Sequence, residues 1–288
     1  MTAPDLLAVG SAVFGAVAAL LAKRLLGAIP SGRLVGPNFL IIFALLAPFA
    51  PLAFRFDAST RSLTLMVAII VIDIGANWAL FESIRRADLA VVVPALGLIP
   101  VFAIAVAVVL FPADADLVRI LLAMTVVAAT ISLQVIDTRR LSGTSGGKHH
   151  SHYLPIAIAL ASSAAFGVSS NLSKLLLDPD EAMTNPYTLY FVRAAGIGVT
   201  MTLVGRGFSA VRGYVKKISL RAIFVILQWL CFLTAIGRSD VISVTTLANL
   251  TPVLAGIGSA VILGEQWNWR RTAAVGVAFV GSAALLAR

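Results

Sequence analysis

Long apolar runs separated by short polar connections dominate the pattern of residues along this chain. A helix needs about 20 apolar residues to cross the hydrocarbon core of a bilayer, and ten stretches of the sequence reach that length. The runs are continuous rather than alternating, which predicts helices and not the strands of a membrane barrel. We therefore expect an all-α integral membrane protein of ten transmembrane helices. The predicted segments are residues 5–26, 35–55, 63–84, 88–111, 116–136, 153–176, 186–205, 217–236, 240–263 and 268–287.

The two halves of the chain repeat at an offset of 152 residues. Phe14 and Gly15 correspond in this way to Phe166 and Gly167. The other matched pairs are Arg86 with Arg238, Asp88 with Asp240, Leu98 with Leu250, Pro100 with Pro252 and Arg119 with Arg271. Five helices is an odd number, so the halves would enter the membrane from opposite sides as a 5+5 inverted repeat. We expect repeats at residues 1–136 and 153–288, joined by a Gly- and Ser-rich linker at 137–152.

The composition agrees with a membrane protein and disfavours several other classes. Hydrophobic residues make up 59% of the chain and charged residues 12%, against about 25% charged in soluble domains. The net charge of +9 is dispersed between apolar runs, which disfavours a nucleic-acid partner. The single cysteine, Cys231, can form no intrachain disulfide. We expect membrane lipid and a small-molecule solute as partners, and a monomer or weak homodimer.

The distribution of basic residues predicts an orientation. One set of loops, those after the odd-numbered segments, carries 15 Lys and Arg residues, while the other side, termini included, carries 6. The positive-inside rule places the first set, which includes Arg221, in the cytoplasm and both termini outside. We expect a multi-pass protein of the inner (plasma) membrane.

Asp73 is the most informative single residue, because it lies ten residues into the third segment, roughly 15 Å from the segment end. A carboxylate at that depth normally faces a polar interior. Asn77 follows one turn later and Trp78 is next to it. We expect Asp73 to bind a cationic group, to carry a proton, or to lock helix packing. Arg193 is a basic residue deep in the seventh segment, and is expected to pair with an acid or to extend to the interface.

The eighth and ninth segments carry further candidate cavity residues. Gln228 and Trp229 lie well inside the eighth segment, where an amide and an indole can line a binding cavity. Thr245, Asn249 and Pro252 share one face of the ninth segment. Pro252 and its repeat equivalent Pro100 predict paired helix kinks, because proline frees a backbone carbonyl. We expect these two prolines to act in gating.

The sequence lacks the common catalytic and nucleotide-binding motifs. There is no GxxxxGK[ST] phosphate loop, no HExxH and no GxSxG pattern. The three histidines, His149, His150 and His152, cluster in the linker without a rigid frame. We therefore expect no enzyme activity, no cofactor and no metal site.

The segment 240–288 resembles the second repeat of the drug/metabolite transporter superfamily, in its EamA-like branch. The matching residues are Leu247, Pro252, Leu263, Gly264, Glu265 and Gly276. The first repeat agrees at Asp88, Pro94 and Pro100 but has Leu110, Phe111 and Pro112 where the second has its L-G-E triplet. Phe14-Gly15 with Lys23, and Phe166-Gly167 with Lys174, resemble the family pattern of helices 1 and 6.

The resemblance implies a secondary carrier whose cavity is lined by helices 1, 3, 4, 6, 8 and 9. Relatives of this kind export amino acids, aromatic ones included, and other metabolites. The implied substrate-binding set is Asp73, Asn77, Trp78, Gln228, Trp229, Asn249, Thr245, Phe14 and Phe166. Because the basic residues fall mostly in loops, phosphorylated substrates are disfavoured, and Asp73 favours a solute with an amine. Coupling to protons stays open.

Three functions remain in competition at this stage. The leading one is an exporter of amino acids or related amphipathic metabolites by alternating access. The second is an importer of a cationic metabolite such as choline. The third is a lipid-linked flippase or a membrane enzyme.

Overall fold

A computed structural model describes most of the chain as helices. The described residues are 2–26, 28–86, 95–112, 116–142, 153–181, 183–205, 211–263 and 269–287. The motif residues Asp88, Pro94, Gly264 and Glu265 lie outside these ranges, as do the three linker histidines. Within the described ranges, the one extended pairing is an isolated antiparallel bridge between Phe56 and Thr184.

The helices follow the apolar runs closely. They are α1 (Ala3–Leu26), α2 (Ser31–Leu46), the one-turn α3 (Ala50–Ala53), α4 (Thr60–Arg86), α5 (Ile99–Leu110), α6 (Leu117–Ser142), α7 (Tyr153–Leu176), α8 (Pro186–Gly205), α9 (Val215–Ile236), α10 (Val241–Ala248), α11 (Thr251–Leu263) and α12 (Trp269–Leu286). Several starts in the second half lie close to 152 residues after a start in the first, as in α5 and α11 at Ile99 and Thr251.

Six described helical stretches are long and apolar enough to cross a membrane. They are Ala3–Ala22, Arg33–Ala53, Thr60–Leu80, Leu154–Leu176, Pro186–Gly205 and Arg212–Ile236. Four shorter apolar stretches are Ile99–Leu110, Leu117–Ser132, Val241–Ala255 and Thr272–Leu286. The chain is thus a multi-pass, all-helical membrane protein, since its helices bury apolar faces together and leave other apolar faces outward.

Each of the two prolines predicted to kink a helix follows a two-residue turn that interrupts the regular helix, and we call these two turns the helix interruptions. The ninth predicted segment splits into α10 and α11, with Asn249 and Leu250 in the turn between them. In the first half, Gly97 and Leu98 form the corresponding turn before α5. Pro100 and Pro252 each occupy the second position of the new helix, where proline loses no intrahelical hydrogen bond. Backbone hydrogen bonds continue through this turn, from the N–H of Leu250 to the carbonyl oxygen of Leu247 and from the N–H of Leu254 to that of Leu250, so the helical path is disturbed here but not lost.

Helix pairs related by the sequence offset pack in the same way. α1 packs against α9, and its counterpart α7 packs against α4. Likewise α1 packs on α11 while α7 packs on α5. The close approach of α5 and α7 depends on Gly167, where an added Cβ would lie 2.7 Å from the backbone nitrogen of Ala103. This arrangement brings both helix interruptions to the centre of the bundle.

The outer surface of α4 is a continuous apolar stripe. Leu63, Val67 and Val71 recur every four residues and are 46%, 58% and 62% exposed, which is the pattern of a face turned to lipid. Asp73 and Asn77 lie on the opposite, buried side with Ile69. The helix therefore separates a lipid-facing stripe from an interior polar stripe.

Candidate functional site

Two adjoining cavities lie at the centre of the bundle. The larger, which we call the helix-break cavity, has a volume of about 370 Å³, and the smaller, the arginine cavity, about 220 Å³. Four residues line both: Phe166, Arg193, Gln228 and Trp229. Their combined size falls in the range of small-molecule sites, about 300–1,000 Å³.

The helix-break cavity is walled by both helix interruptions and by aromatic side chains. Gly97, Pro100, Asn249 and Pro252 contribute from the interruptions, and Phe232 from α9. The side-chain amide of Asn249 donates to the carbonyl oxygen of Gly97 at 3.5 Å, so the two interruptions touch at positions that are 152 residues apart. Irregular backbone at membrane depth is tolerated where it lines such a cavity.

Other polar groups of the interruption are satisfied locally. The Thr251 hydroxyl donates to the carbonyl oxygen of Ala248 at 2.8 Å, an oxygen that Pro252 cannot serve. The Thr245 hydroxyl donates one turn back to Val241 at 2.6 Å. Asp240 caps the start of α10 by accepting from the backbone N–H of Ser243 at 2.7 Å. The interruption is therefore a well-formed structure with few unmet hydrogen bonds.

A buried ion pair borders the arginine cavity. The Nε of Arg193 lies 2.6 Å from Oδ2 of Asp73, and these side chains are 5% and 0% exposed. The Arg193 guanidinium also stacks on Trp229, with 4.6 Å from Cζ to the ring centroid. Trp229 packs in turn on Tyr190, at 6.0 Å between centroids. Arg193 thus lines both cavities, and Asp73, which lines neither, provides its counter-charge.

A second arginine enters the same cavity without an acid. Arg221, on α9, donates to Oδ1 of Asn38 at 2.5 Å. No described carboxylate lies within ion-pair distance of it. The Nε of Arg221 and the hydroxyl of Tyr190 are shielded from solvent and have no hydrogen-bond partner among the described residues. The cavity wall therefore carries one positive charge with no described counter-charge, and two polar groups of these lining residues have no described partner.

Most of the residues predicted from the sequence line these cavities. Thr245, Asn249, Pro100 and Pro252 line the helix-break cavity and Asn77 the arginine cavity. Gln228, Trp229 and Phe166 line both. Phe14 is half-buried and lines neither.

Two expectations about placement need correction. Trp78 is 54% exposed and lines neither cavity, because it continues the outer stripe of Leu63, Val67 and Val71 instead of the buried face of Asn77. Asp73 also lines neither of these two cavities, and it lies at ion-pair distance from Arg193, which lines both. Its partner is a guanidinium of the protein, as the expectation for Arg193 had allowed.

The sequence analysis missed Arg221, Tyr190 and Asn38. Arg221 was counted among the basic residues of the cytoplasmic side, but it lies one to two turns into α9 and lines the arginine cavity. A signal existed, since residue 221 falls inside the predicted segment 217–236. Arg221 is therefore, with Arg193, an exception to the expectation that the basic residues fall mostly in loops.

Comparisons with known proteins agree with this architecture. A model of the EamA-like transporter family matches residues 2–134 and 154–287. A crystal structure of a protein aligns with a TM-score of 0.75 at 17% identity, covering 99% of this chain and 97% of the other; at that identity the likeness shows the fold alone. No curated protein matches the sequence significantly.

Proposed function

Because the chain belongs to the EamA-like transporter family, we propose that it exports amino acids or related small amphipathic metabolites by alternating access. The family implies a membrane transporter of small solutes. The observation that supports this solute class is the pair of joined cavities, whose walls combine apolar surface with polar and charged groups. An amphipathic solute needs both environments.

We propose that the chain crosses the membrane ten times, as a 5+5 inverted repeat with repeats at 1–136 and 153–288, and that the solute path lies between the two repeats. Two ion pairs support this count. Arg61 pairs with Glu181 at 2.6 Å, and Arg119 lies 3.4 Å from Asp240. Arg61 and Arg119 lie in the first turns of α4 and α6. Each pair joins chain positions that are four predicted helices apart, and an even number of crossings returns the chain to the same side. The two matches of the family model also divide the chain at the linker.

We propose that the two helix interruptions act as the gate. They touch at Gly97 and Asn249, and they line the larger cavity. A turn that already interrupts a helix can change its backbone angles with little loss of helical hydrogen bonds. Pro100 and Pro252 would fix where each new helix begins.

The orientation belongs to the same proposal. With 15 basic residues on one side and 6 on the other, the linker at 137–152 faces the cytoplasm and both termini lie outside in the inner membrane. Reporter fusions at the linker and at the C-terminus measure this directly. A C-terminal reporter in the cytoplasm would reverse the orientation without changing the helix count.

A screen of liposome uptake tests the proposed function. Purified full-length protein is reconstituted and offered radiolabelled amino acids, choline and sugars, with and without a pH gradient, against protein-free liposomes. The proposal predicts uptake of at least one amino acid above the control. Uptake of choline alone would favour the cation carrier, and exchange of labelled lipid between leaflets without solute uptake would favour the flippase. A difference between the gradient conditions would reveal proton coupling.

A further inference from the structure

The charges around the arginine cavity do not cancel. Its described lining includes Arg193 and Arg221 and no Asp or Glu. Arg193 is balanced by Asp73 at 2.6 Å, whereas the only described polar partner of Arg221 is the neutral amide of Asn38. A guanidinium stays protonated in proteins, and an unpaired charge away from bulk water is costly. The cavity is therefore suited to an anion of charge one.

Two polar groups of the residues that line this end of the cavity lack a described hydrogen-bond partner, and both can donate. The Nε of Arg221 is unused, and so is the hydroxyl of Tyr190, a residue that is 1% exposed. Asn38 accepts from one terminal nitrogen of Arg221 and so holds the guanidinium in place. The planar guanidinium matches the two oxygens of a carboxylate, and such charge-assisted pairs are the strong ones.

We infer that Arg221, positioned by Asn38, forms a subsite for the carboxylate of the transported solute. The inference rests on the proposed function and narrows it. A single uncompensated positive charge fits a carboxylate better than a doubly charged phosphate ester. Trp229 and Phe166 lie between this subsite and the larger cavity, so the apolar part of the solute extends towards Pro100 and Phe232. The solute is thus a carboxylate with an apolar side group.

Calorimetric binding to the purified full-length protein tests this subsite without any transport step. The probes are L-phenylalanine and L-leucine, each paired with its carboxamide, which keeps the amine and the side group but lacks the anion. The expected result is that at least one acid binds and that its amide binds at least about tenfold more weakly, since a lost bond to a charged group has that effect. Binding of neither acid, or equal binding of acid and amide, would overturn the inference.

Variants locate the effect. Arg221→Gln should weaken binding of the acid about 10- to 100-fold and leave the binding of the amide unaltered. Arg221→Lys keeps the charge but not the paired donors of the planar guanidinium, so its affinity for the acid should lie between those of the wild type and Arg221→Gln. Arg212→Gln is the matched control, because Arg212 is an exposed residue that lines neither cavity. An acid preference that persists in Arg221→Gln would overturn the assignment of Arg221.

The binding result and the transport result can fail separately. Acid-selective binding without uptake of any amino acid would contradict the export proposal and keep the carboxylate subsite. Uptake of amino acids that bind no more tightly than their amides would support the transport proposal and contradict the carboxylate subsite. The comparison of acid with amide uses the wild-type protein, so it holds even if a variant fails to fold.

Discussion

Arg193 and Arg221 line the same small cavity but differ in how their charge is balanced. Arg193 is held by Asp73 at 2.6 Å and by the face of Trp229, whereas Arg221 contacts the neutral Asn38 and no described acid. Arg193 therefore has a counter-charge within the protein, whereas Arg221 has none among the described residues. The difference shows that burial of a charge is not by itself a sign of binding. The informative residue is the one whose partner is missing.

The largest expected effect follows from breaking the complete pair. Asp73→Asn leaves Arg193 buried without its counter-charge, and such a loss costs about 3–5 kcal/mol. We expect poor expression and a much lower melting temperature. The double variant Asp73→Asn/Arg193→Gln removes both charges and should recover much of the loss.

The surface pair Arg61–Glu181 provides the matched control for this experiment. Its side chains are 58% and 37% exposed, and exposed pairs contribute about 0–1 kcal/mol. Glu181→Gln should therefore change the melting temperature little. An Asp73→Asn protein that is as stable as wild type, but has lost amine binding, would instead make Asp73 a substrate anchor.

A smaller effect is expected at the aromatic ring that supports Arg193. Trp229→Leu removes the stacking on the guanidinium and on Tyr190, contacts that contribute about 0.5–2 kcal/mol. We expect solute affinity to fall roughly three- to tenfold, measured by calorimetry. Trp78→Leu is the control, because Trp78 faces outward. Equal losses in both variants would contradict the placement of these two tryptophans.

Asn38 tests how far Arg221 depends on its neutral partner. Asn38→Ala removes the hydrogen bond of 2.5 Å, so the guanidinium loses one fixed position without losing its charge. We expect a few-fold weaker binding of an amino acid, corresponding to about 1 kcal/mol. An Asn38→Ala protein with affinity as low as that of Arg221→Gln would mean that Asn38 contacts the solute itself.

The smallest effect is the stability change on removing Arg221. Since no described acid depends on it, Arg221→Gln exposes no new buried charge, and we expect a stability change within about 1 kcal/mol. The melting temperature without solute should stay near the wild-type value. A loss as large as that of Asp73→Asn would show that Arg221 has a structural counter-charge.

The sequence predicted the architecture better than it predicted the site. Apolar run length located the long helices, and the offset of 152 residues anticipated the matching starts of α5 and α11, because both depend on local composition. The prolines indicated where the helix would be disturbed, but not how the turn would be stabilised. That depends on which side chains serve the freed backbone groups, as the Thr251 hydroxyl serves the carbonyl oxygen of Ala248.

The errors at the site have identifiable causes. Trp78 was grouped with Asn77 because the two are adjacent, although neighbours on a helix point about 100° apart; the stripe of Leu63, Val67 and Val71 marks its true face. Counting basic residues places Arg221 with the cytoplasmic loops, because such a count does not consider that a long side chain near a helix end can line a cavity. The pairing of Asp73 with Arg193 joins positions 120 residues apart, and no local pattern links them.

The most direct test measures the acid-over-amide preference of two variants side by side. Asp73→Asn/Arg193→Gln removes both members of a neutral ion pair, so the net charge around the cavity is unchanged, whereas Arg221→Gln removes one positive charge. Calorimetry with L-phenylalanine and L-phenylalaninamide should show that the double variant keeps its preference for the acid and that Arg221→Gln loses it. The opposite result, with the preference lost in the double variant and kept in Arg221→Gln, would contradict the assignment of the solute's carboxylate to Arg221.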